Sequence, residues 1–172
     1  MRTLFDQSGE RADDWLRIEG EQPVPATGNV IVSLDRIAEA LAAGRNGQIG
    51  VHLDPLDEVA QIADHLDHIA LISLDFPSFA NGTSYSKARW LRDRHGFTGT
   101  LRATGDIRID QVLFFYRCGF DELLVSHEPT IAALKSGKSV AIDHLYQPAI
   151  GAEVQAGQRP WQRRWAGNLE DA

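Results

Sequence analysis

Five times between Val30 and Leu134, a short β-branched or apolar run gives way to a segment with helical spacing. Such alternation predicts successive strand–crossover units and a mainly parallel sheet, an α/β fold. Val30-Ile31-Val32-Ser33-Leu34 is the first strand, and Asp35 and Gly44 bracket a helix over Arg36–Ala43. Ile49-Gly50-Val51-His52-Leu53 is the second strand. Asp54-Pro55 opens the helix after it, with the stripe Leu56, Val59, Ile62, Ala63 and Leu66. Ile69 to Leu74 is almost wholly apolar, as in a strand covered on both faces. A helix over Ser84–Arg94 buries Ala88 and Leu91, and Thr100–Thr104 is the fourth strand. Asp106 caps a helix to Cys118, with Gly119 at its C′ position. Leu123-Leu124-Val125 and Glu128–Leu134, with Pro129 in the first turn, complete the series.

Two architectures fit this series, a flavodoxin-like open sheet and an incomplete TIM-like barrel with sequential strand order. Closure is not expected, because a full (β/α)8 barrel takes about 200 residues or more and this chain has 172. Residues 1–29 are mixed, with acids and two prolines, and read as an N-terminal arm with a short hairpin near Trp15-Leu16-Arg17-Ile18. Residues 30–148 form the α/β domain, and residues 149–172 a C-terminal tail. That tail holds Pro160-Trp161-Gln162-Arg163-Arg164-Trp165, which either folds back on the domain or docks on a partner.

The net charge of −7 argues against general nucleic-acid binding, which needs a broad basic face. No apolar run reaches the roughly 18 residues of a membrane span, and Met-Arg-Thr-Leu-Phe-Asp-Gln lacks a signal-peptide core. A cytoplasmic location is the simplest expectation. The single cysteine, Cys118, excludes an internal disulfide and a Cys-rich metal site within one chain. It sits near a helix C-terminus, where the dipole disfavours a thiolate, so it reads as packed and inert. His65 and His68 read as a solvated helix end, and His95, His127 and His144 lack a nucleophile context. There is no P-loop, no Gly-x-Gly-x-x-Gly and no Gly-x-Ser-x-Gly, so the residues specify no cofactor.

Against this acidic background, Tyr85 to Cys118 carries seven cations and three acids. A local charge of +4 on a chain of −7 points to a small anionic ligand or an acidic partner surface. Strand-to-helix turns form the ligand-binding edge of α/β folds. Asp75 ends the third strand, as a base or an arginine holder, or as a plain loop ion pair. Asn81-Gly82 allows a tight turn, and the helix after it places Tyr85, Ser86 and Arg89 within reach of one face. Arg102 lies inside the strand Leu101-Arg102-Ala103-Thr104. A buried guanidinium costs several kcal/mol or more unless paired, so it must meet an acid, carbonyls or a ligand. Asp75 and Asp106 are the expected acids, with a structural ion pair slightly favoured over a ligand site. Asp110 and Arg117, seven apart, line one side of the following helix.

At these residues the chain resembles a bacterial family of unknown function that carries the label of an oxidoreductase in sulfite reduction. Its genes commonly sit beside the haemoprotein subunit of assimilatory sulfite reductase. The resemblance spans about Trp15 to Pro148. It is strongest in Leu74-Asp75-Phe76-Pro77-Ser78-Phe79, Tyr85-Ser86-Lys87-Ala88-Arg89-Trp90-Leu91-Arg92, Gly99-Thr100-Leu101-Arg102-Ala103-Thr104-Gly105-Asp106, Asp110-Gln111 and Arg117-Cys118-Gly119-Phe120. Where that family typically carries an aspartate and an arginine around the first-turn glycine, this chain has Asn81 and Thr83. The resemblance implies an accessory protein of sulfite reduction that binds an oxyanion, or sulfite reductase itself, through an arginine-lined edge. In that reading Arg89 and Arg102 hold the anion, Tyr85 and Ser86 add hydrogen bonds, and Asp106 orients an arginine. Two alternatives stay open. One is a small enzyme on an anionic metabolite, with Asp75 or Asp106 as acid/base and Tyr85 as proton donor. The other is an interaction module that uses the Trp161–Trp165 tail.

Overall fold

The computed structural model of the chain describes residues 2–78 and 80–137. The tail expected over 149–172, with Trp161 and Trp165, and His144 lie outside the described residues. The fold is mixed α/β. Its strands are β1 (Thr3–Asp6), β2 (Gly9–Arg11), β3 (Trp15–Arg17), β4 (Asn29–Ser33), β5 (Ile49–Leu53), β6 (Leu71–Phe76), β7 (Thr100–Gly105) and β8 (Glu122–Val125). They form one sheet in the order β2-β1-β8-β7-β6-β5-β4-β3. From β3 to β8 the strands are parallel and sequential, while β1 pairs antiparallel with both β2 and β8. This order differs from the reshuffled order of a flavodoxin-like sheet. Nor is the sheet built from five parallel units alone, because the first 17 residues add three strands to its two flanks. Trp15–Arg17 pairs in parallel with Asn29–Ile31, where a hairpin was expected.

The sheet has to curl. β2 and β3 are its opposite edges, yet residues 12–14 alone connect them. Four virtual bonds span at most about 15 Å, whereas eight flat strands would set the edges roughly 34 Å apart. The short link therefore forces the two edges to approach across a seam, although no β2–β3 pairing occurs among the described residues.

Alternation along each strand sorts the side chains between the two faces. Val51, Leu53, Ile72, Leu74, Phe76, Leu101, Ala103, Leu123 and Val125 face the helices and build the main core. Onto it pack Ile37 of α1 (Ile37–Ala42), Ala88 and Leu91 of α2 (Thr83–Asp93), Phe115 of α3 (Val112–Arg117) and Ile131 of α4 (Glu128–Lys135). The segment expected to begin at Asp54-Pro55 instead starts later, as a 3-10 helix over Val59–His68. Its capping box joins Glu58 and Gln61, and Leu56 is left 95% exposed. Three residues per turn suit the burial of Val59 and Ile62, which the expected stripe also held, whereas Leu56 lies before the helix and outside the core. The opposite, concave face carries Ile31, Gly50, His52, Leu71, Ser73, Asp75, Arg102, Thr104, Glu122 and Leu124. Gly50 leaves room there for the Trp15 ring, which would stand 3.1 Å from a Cβ and would have to shift slightly to admit one.

Asp6 fixes the β1–β2 turn. Its carboxylate accepts hydrogen bonds from the Ser8 amide (2.7 Å) and hydroxyl (2.6 Å), the Gly9 amide (3.1 Å) and Arg11 (2.9 Å). The Ser8 hydroxyl, then Arg11, lower its pKa from 3.8 to about 2. The folded carboxyl is thus more acidic than the unfolded one, so its contribution is complete above pH 3.8 and disappears as pH falls through about 2. Asp6→Ala should cost about 1–2 kcal/mol at pH 7 in urea unfolding. The gap from wild type should close towards pH 2; a gap independent of pH would contradict this role.

Candidate functional site

The register lines up a polar row across the concave face. His52 stands beside Ser73, Ser73 beside Arg102, and Arg102 beside Glu122. All four sit on neighbouring strands at one level, so their side chains project into the same space. His52 Nδ1 lies 3.1 Å from the Ser73 hydroxyl, and Nε2 lies 3.4 Å from Asp54 Oδ1. A carboxylate only accepts, so Nε2 carries the ring proton and Nδ1 accepts from Ser73. Burial, then the charge of Arg17, pushes the imidazole below its ordinary pKa and keeps it neutral.

Arg102 is 1% exposed and is the largest fully buried side chain. Its Nε donates to Glu122 Oε2 at 3.0 Å, and its Nη1 reaches Asp13 Oδ1 at 2.9 Å and Oδ2 at 3.0 Å. Nη2 also stands 2.9 Å from Glu122 Oε2, but too far off axis for a hydrogen bond, so it has no aligned acceptor. The acids are therefore Asp13 and Glu122, not Asp75 and Asp106 as the sequence suggested. The reason is direction: a mid-strand side chain rises perpendicular to the sheet and meets its lateral neighbour on β8, whereas Asp106 lies beyond the strand end. Breaking a buried pair from one side is costly. Glu122→Ala should destabilise by about 3 kcal/mol, read as a lower urea midpoint; a loss below about 1 kcal/mol would mark the pair as effectively solvated.

Above this row lies a cavity of about 380 Å³, lined by residues that include Arg2, Arg11, Asp13, Arg17, Ser73, Arg102 and Thr104. Arg11 is paired with Asp6 at 2.9 Å. Neither Arg2 nor Arg17 has an ion-pair partner among the described residues. These two exposed arginines, and the unaligned Nη2 of Arg102, thus line one cavity beside the acids Glu10 and Asp13. The β1–β3 strands supply much of this lining, and composition alone could not assign them to it. The usable signal was Asp13 and Arg17 flanking Trp15, opposite a strand with a glycine at position 50.

The residues expected at the carboxyl edge do not converge. Asp75 does lie on the concave face, where its Oδ1 accepts from the Thr104 hydroxyl at 3.3 Å. Gly105, at φ 108°, lets the ends of β6 and β7 come together beside it, since a Cβ there would fall 2.2 Å from the Phe76 carbonyl oxygen. Asp106 does not cap the following helix. It holds Arg108 at 2.7 Å, and Arg108 in turn donates to His127 Nε2 at 2.7 Å. The helical segment begins only at Ile109, with Gln111 closing the turn onto Arg108. Asp110 is exposed in that turn. The Asn81 carboxamide accepts from the Thr83 amide at 3.2 Å and shapes the turn before α2.

Tyr85 belongs to the core. Its ring sits 4.7–6.4 Å from those of Phe76, Phe114, Phe115 and Phe120. Its hydroxyl is buried without a partner among the described residues, and burial pushes its pKa up. Ser86 is exposed, and Arg89 pairs at 3.8 Å with Asp93 on α2. Arg117 ends α3 in the same helical layer. Both arginines act electrostatically on Cys118, yet burial dominates and raises the thiol. Arg102 and the pair Arg89 and Arg117 therefore lie on opposite sides of the sheet. Lys87 is a buried cation that the sequence reading passed over. Its Nζ donates to the Asp54 carbonyl at 2.6 Å, and burial lowers its pKa. Its place in the buried stripe Ser84, Lys87, Ala88, Leu91 was the available signal.

No metal-binding group of three or more His, Cys, Asp or Glu occurs among the described residues, and no helix there is long and apolar enough to cross a membrane. The sequence profile of a bacterial family of unknown function, DUF934, matches residues 50–156. No curated protein matches the chain.

Proposed function

We propose that this chain, which belongs to that bacterial family of unknown function, binds a small anion in the cavity on the concave face of its sheet. The observation that carries this reading is the charge around that cavity. Four arginines line it against the two acids Glu10 and Asp13. Arg2 and Arg17 have no ion-pair partner among the described residues, and Arg102 presents a buried N–H without an aligned acceptor. Anions that present several oxygens satisfy guanidinium groups better than water-filled space does. We read the curled, sequentially ordered sheet as an incomplete TIM-like barrel. In that setting residues towards the carboxyl ends of the strands surround the ligand. Following the resemblance, the anion is a sulfur oxyanion such as sulfite or sulfate. The protein then serves assimilatory sulfite reduction as an accessory factor, with sulfite reductase as its partner.

A second reading rests on the Asp54–His52–Ser73 chain of contacts. His52 itself does not line the cavity, but Ser73 does. A neutral imidazole oriented by a carboxylate can take up the proton that the Ser73 hydroxyl gives in an exchange with a ligand, which makes the cavity a small active site for an anionic metabolite. The proton balance of sulfite binding separates the two. Proton uptake or release that His52→Gln abolishes fits the acid/base site, and binding that His52→Gln leaves unchanged fits a simple binder.

Calorimetric titration with sulfite tests the main reading. The double variant Arg2→Gln, Arg17→Gln should bind at least about tenfold more weakly with an unaltered circular dichroism spectrum. Equal affinity of the folded variant and wild type, or no binding by wild type, would remove the site.

A further inference from the structure

We propose that Asp13 is a built-in stand-in for the ligand. Its carboxylate occupies the place on Arg102 that a small anion with two adjacent oxygens takes, and binding expels it. This rests on the anion-binding reading above and adds which group the ligand replaces.

Three observations carry it. The first is geometry. Both Asp13 oxygens crowd onto the single nitrogen Nη1, at 2.9 and 3.0 Å, while Nη2 has no aligned acceptor. A free anion can straddle Nη1 and Nη2 in the forked arrangement that guanidinium groups favour. Asp13 is fixed to the backbone of a short link and does not reach it. The second is access. The Arg102 side chain is 1% exposed and that of Asp13 is 30% exposed, so the acid is the removable partner. Glu122 would stay on Nε, so Arg102 is never left without a counter-charge. The third is tethering. Asp13 sits in the three-residue link across the seam, and its only other contact among the described hydrogen bonds is the Trp15 amide, which donates to Oδ1 at 3.2 Å. Release of Asp13 therefore exchanges its two contacts with Nη1 for those of the ligand and breaks one further hydrogen bond, at the seam.

Exchange of the Asp13 carboxylate for another monoanion keeps the charge around Arg102 constant, and a dianion adds one negative charge that Arg2 and Arg17 face. The incoming ligand also gains the fields of Arg2 and Arg17, which Asp13 does not neutralise. These two arginines tip the exchange towards the ligand. The chemical class is thus a carboxylate or a sulfur oxyanion small enough for about 380 Å³.

The test uses the full chain and separate calorimetric titrations with sulfite and with formate. Asp13→Asn removes the competing charge but keeps the shape, and Asp13→Ser serves as a second variant. Asp14→Asn changes the net charge identically one residue away. Whichever anion binds wild type should bind both Asp13 variants about tenfold more tightly, with Asp14→Asn unchanged. In saturated wild type, the Trp15 amide should also exchange faster with deuterium. Equal affinity for wild type and the folded Asp13 variants would overturn the exchange and leave the cavity reading intact. Binding of neither anion to any variant would overturn both.

Discussion

The buried guanidinium of Arg102 organises this molecule. It reaches sideways to Glu122 on the neighbouring strand and across the seam to Asp13 on the link between the two sheet edges. No residue of the helical layer shares in that clamp. A cation of this size cannot remain in a protein interior on hydrophobic packing alone. Its partners must come from chain segments far apart in sequence, and one of them stands 89 residues away. Backbone pairing holds the three strands of the first 17 residues on the two flanks of the sheet, and Asp13 ties the link between them to Arg102, so the concave face gains walls.

The two faces of the sheet are built on opposite principles. The helix side is a continuous apolar core with an aromatic centre around Phe76, Phe115 and Phe120. The concave side is a row of groups that each need a partner: His52, Ser73, Arg102 and Glu122. Packing stabilises the first, and hydrogen bonds the second. Strand register makes both possible, since a shift by one residue would exchange them. A polar face of this kind serves a ligand better than it serves stability, because hydrophobic replacement of buried ion pairs is often neutral or stabilising.

Much of the helix side was legible in the sequence. The runs at Ile49–Leu53, Ile69–Leu74 and Thr100–Thr104 announce strands by composition, and Ala88 and Leu91 announce the buried stripe of α2. Arg102 was legible as a problem needing a partner, because a charged residue interrupts an otherwise buried strand. Its partners were not legible, because Asp13 is near only after the sheet has curled. The β1–β2 hairpin was hidden for a different reason. Four- and three-residue strands carry too little periodicity to stand out from a loop. The faces expected for Tyr85, Ser86 and Arg89 on one helix and for Asp110 and Arg117 on the next rested on helical spacing, which does not say which side of the sheet a helix covers. Tyr85 went to the phenylalanines because a ring gains more from burial than its hydroxyl loses. Asp106 does not cap because Arg108, two residues on, draws its carboxylate into an ion pair and donates to it from Nη2 at 3.1 Å.

The central claim is that the anion site lies on the concave face and not among the arginines of the helices. A crystal of the protein soaked in selenite, a heavier analogue of sulfite, tests it by anomalous diffraction. A selenium peak in the cavity within hydrogen-bond reach of Arg102 and Arg17 is the predicted result. A peak only beside Arg89 or Arg117, with an empty cavity, would contradict it.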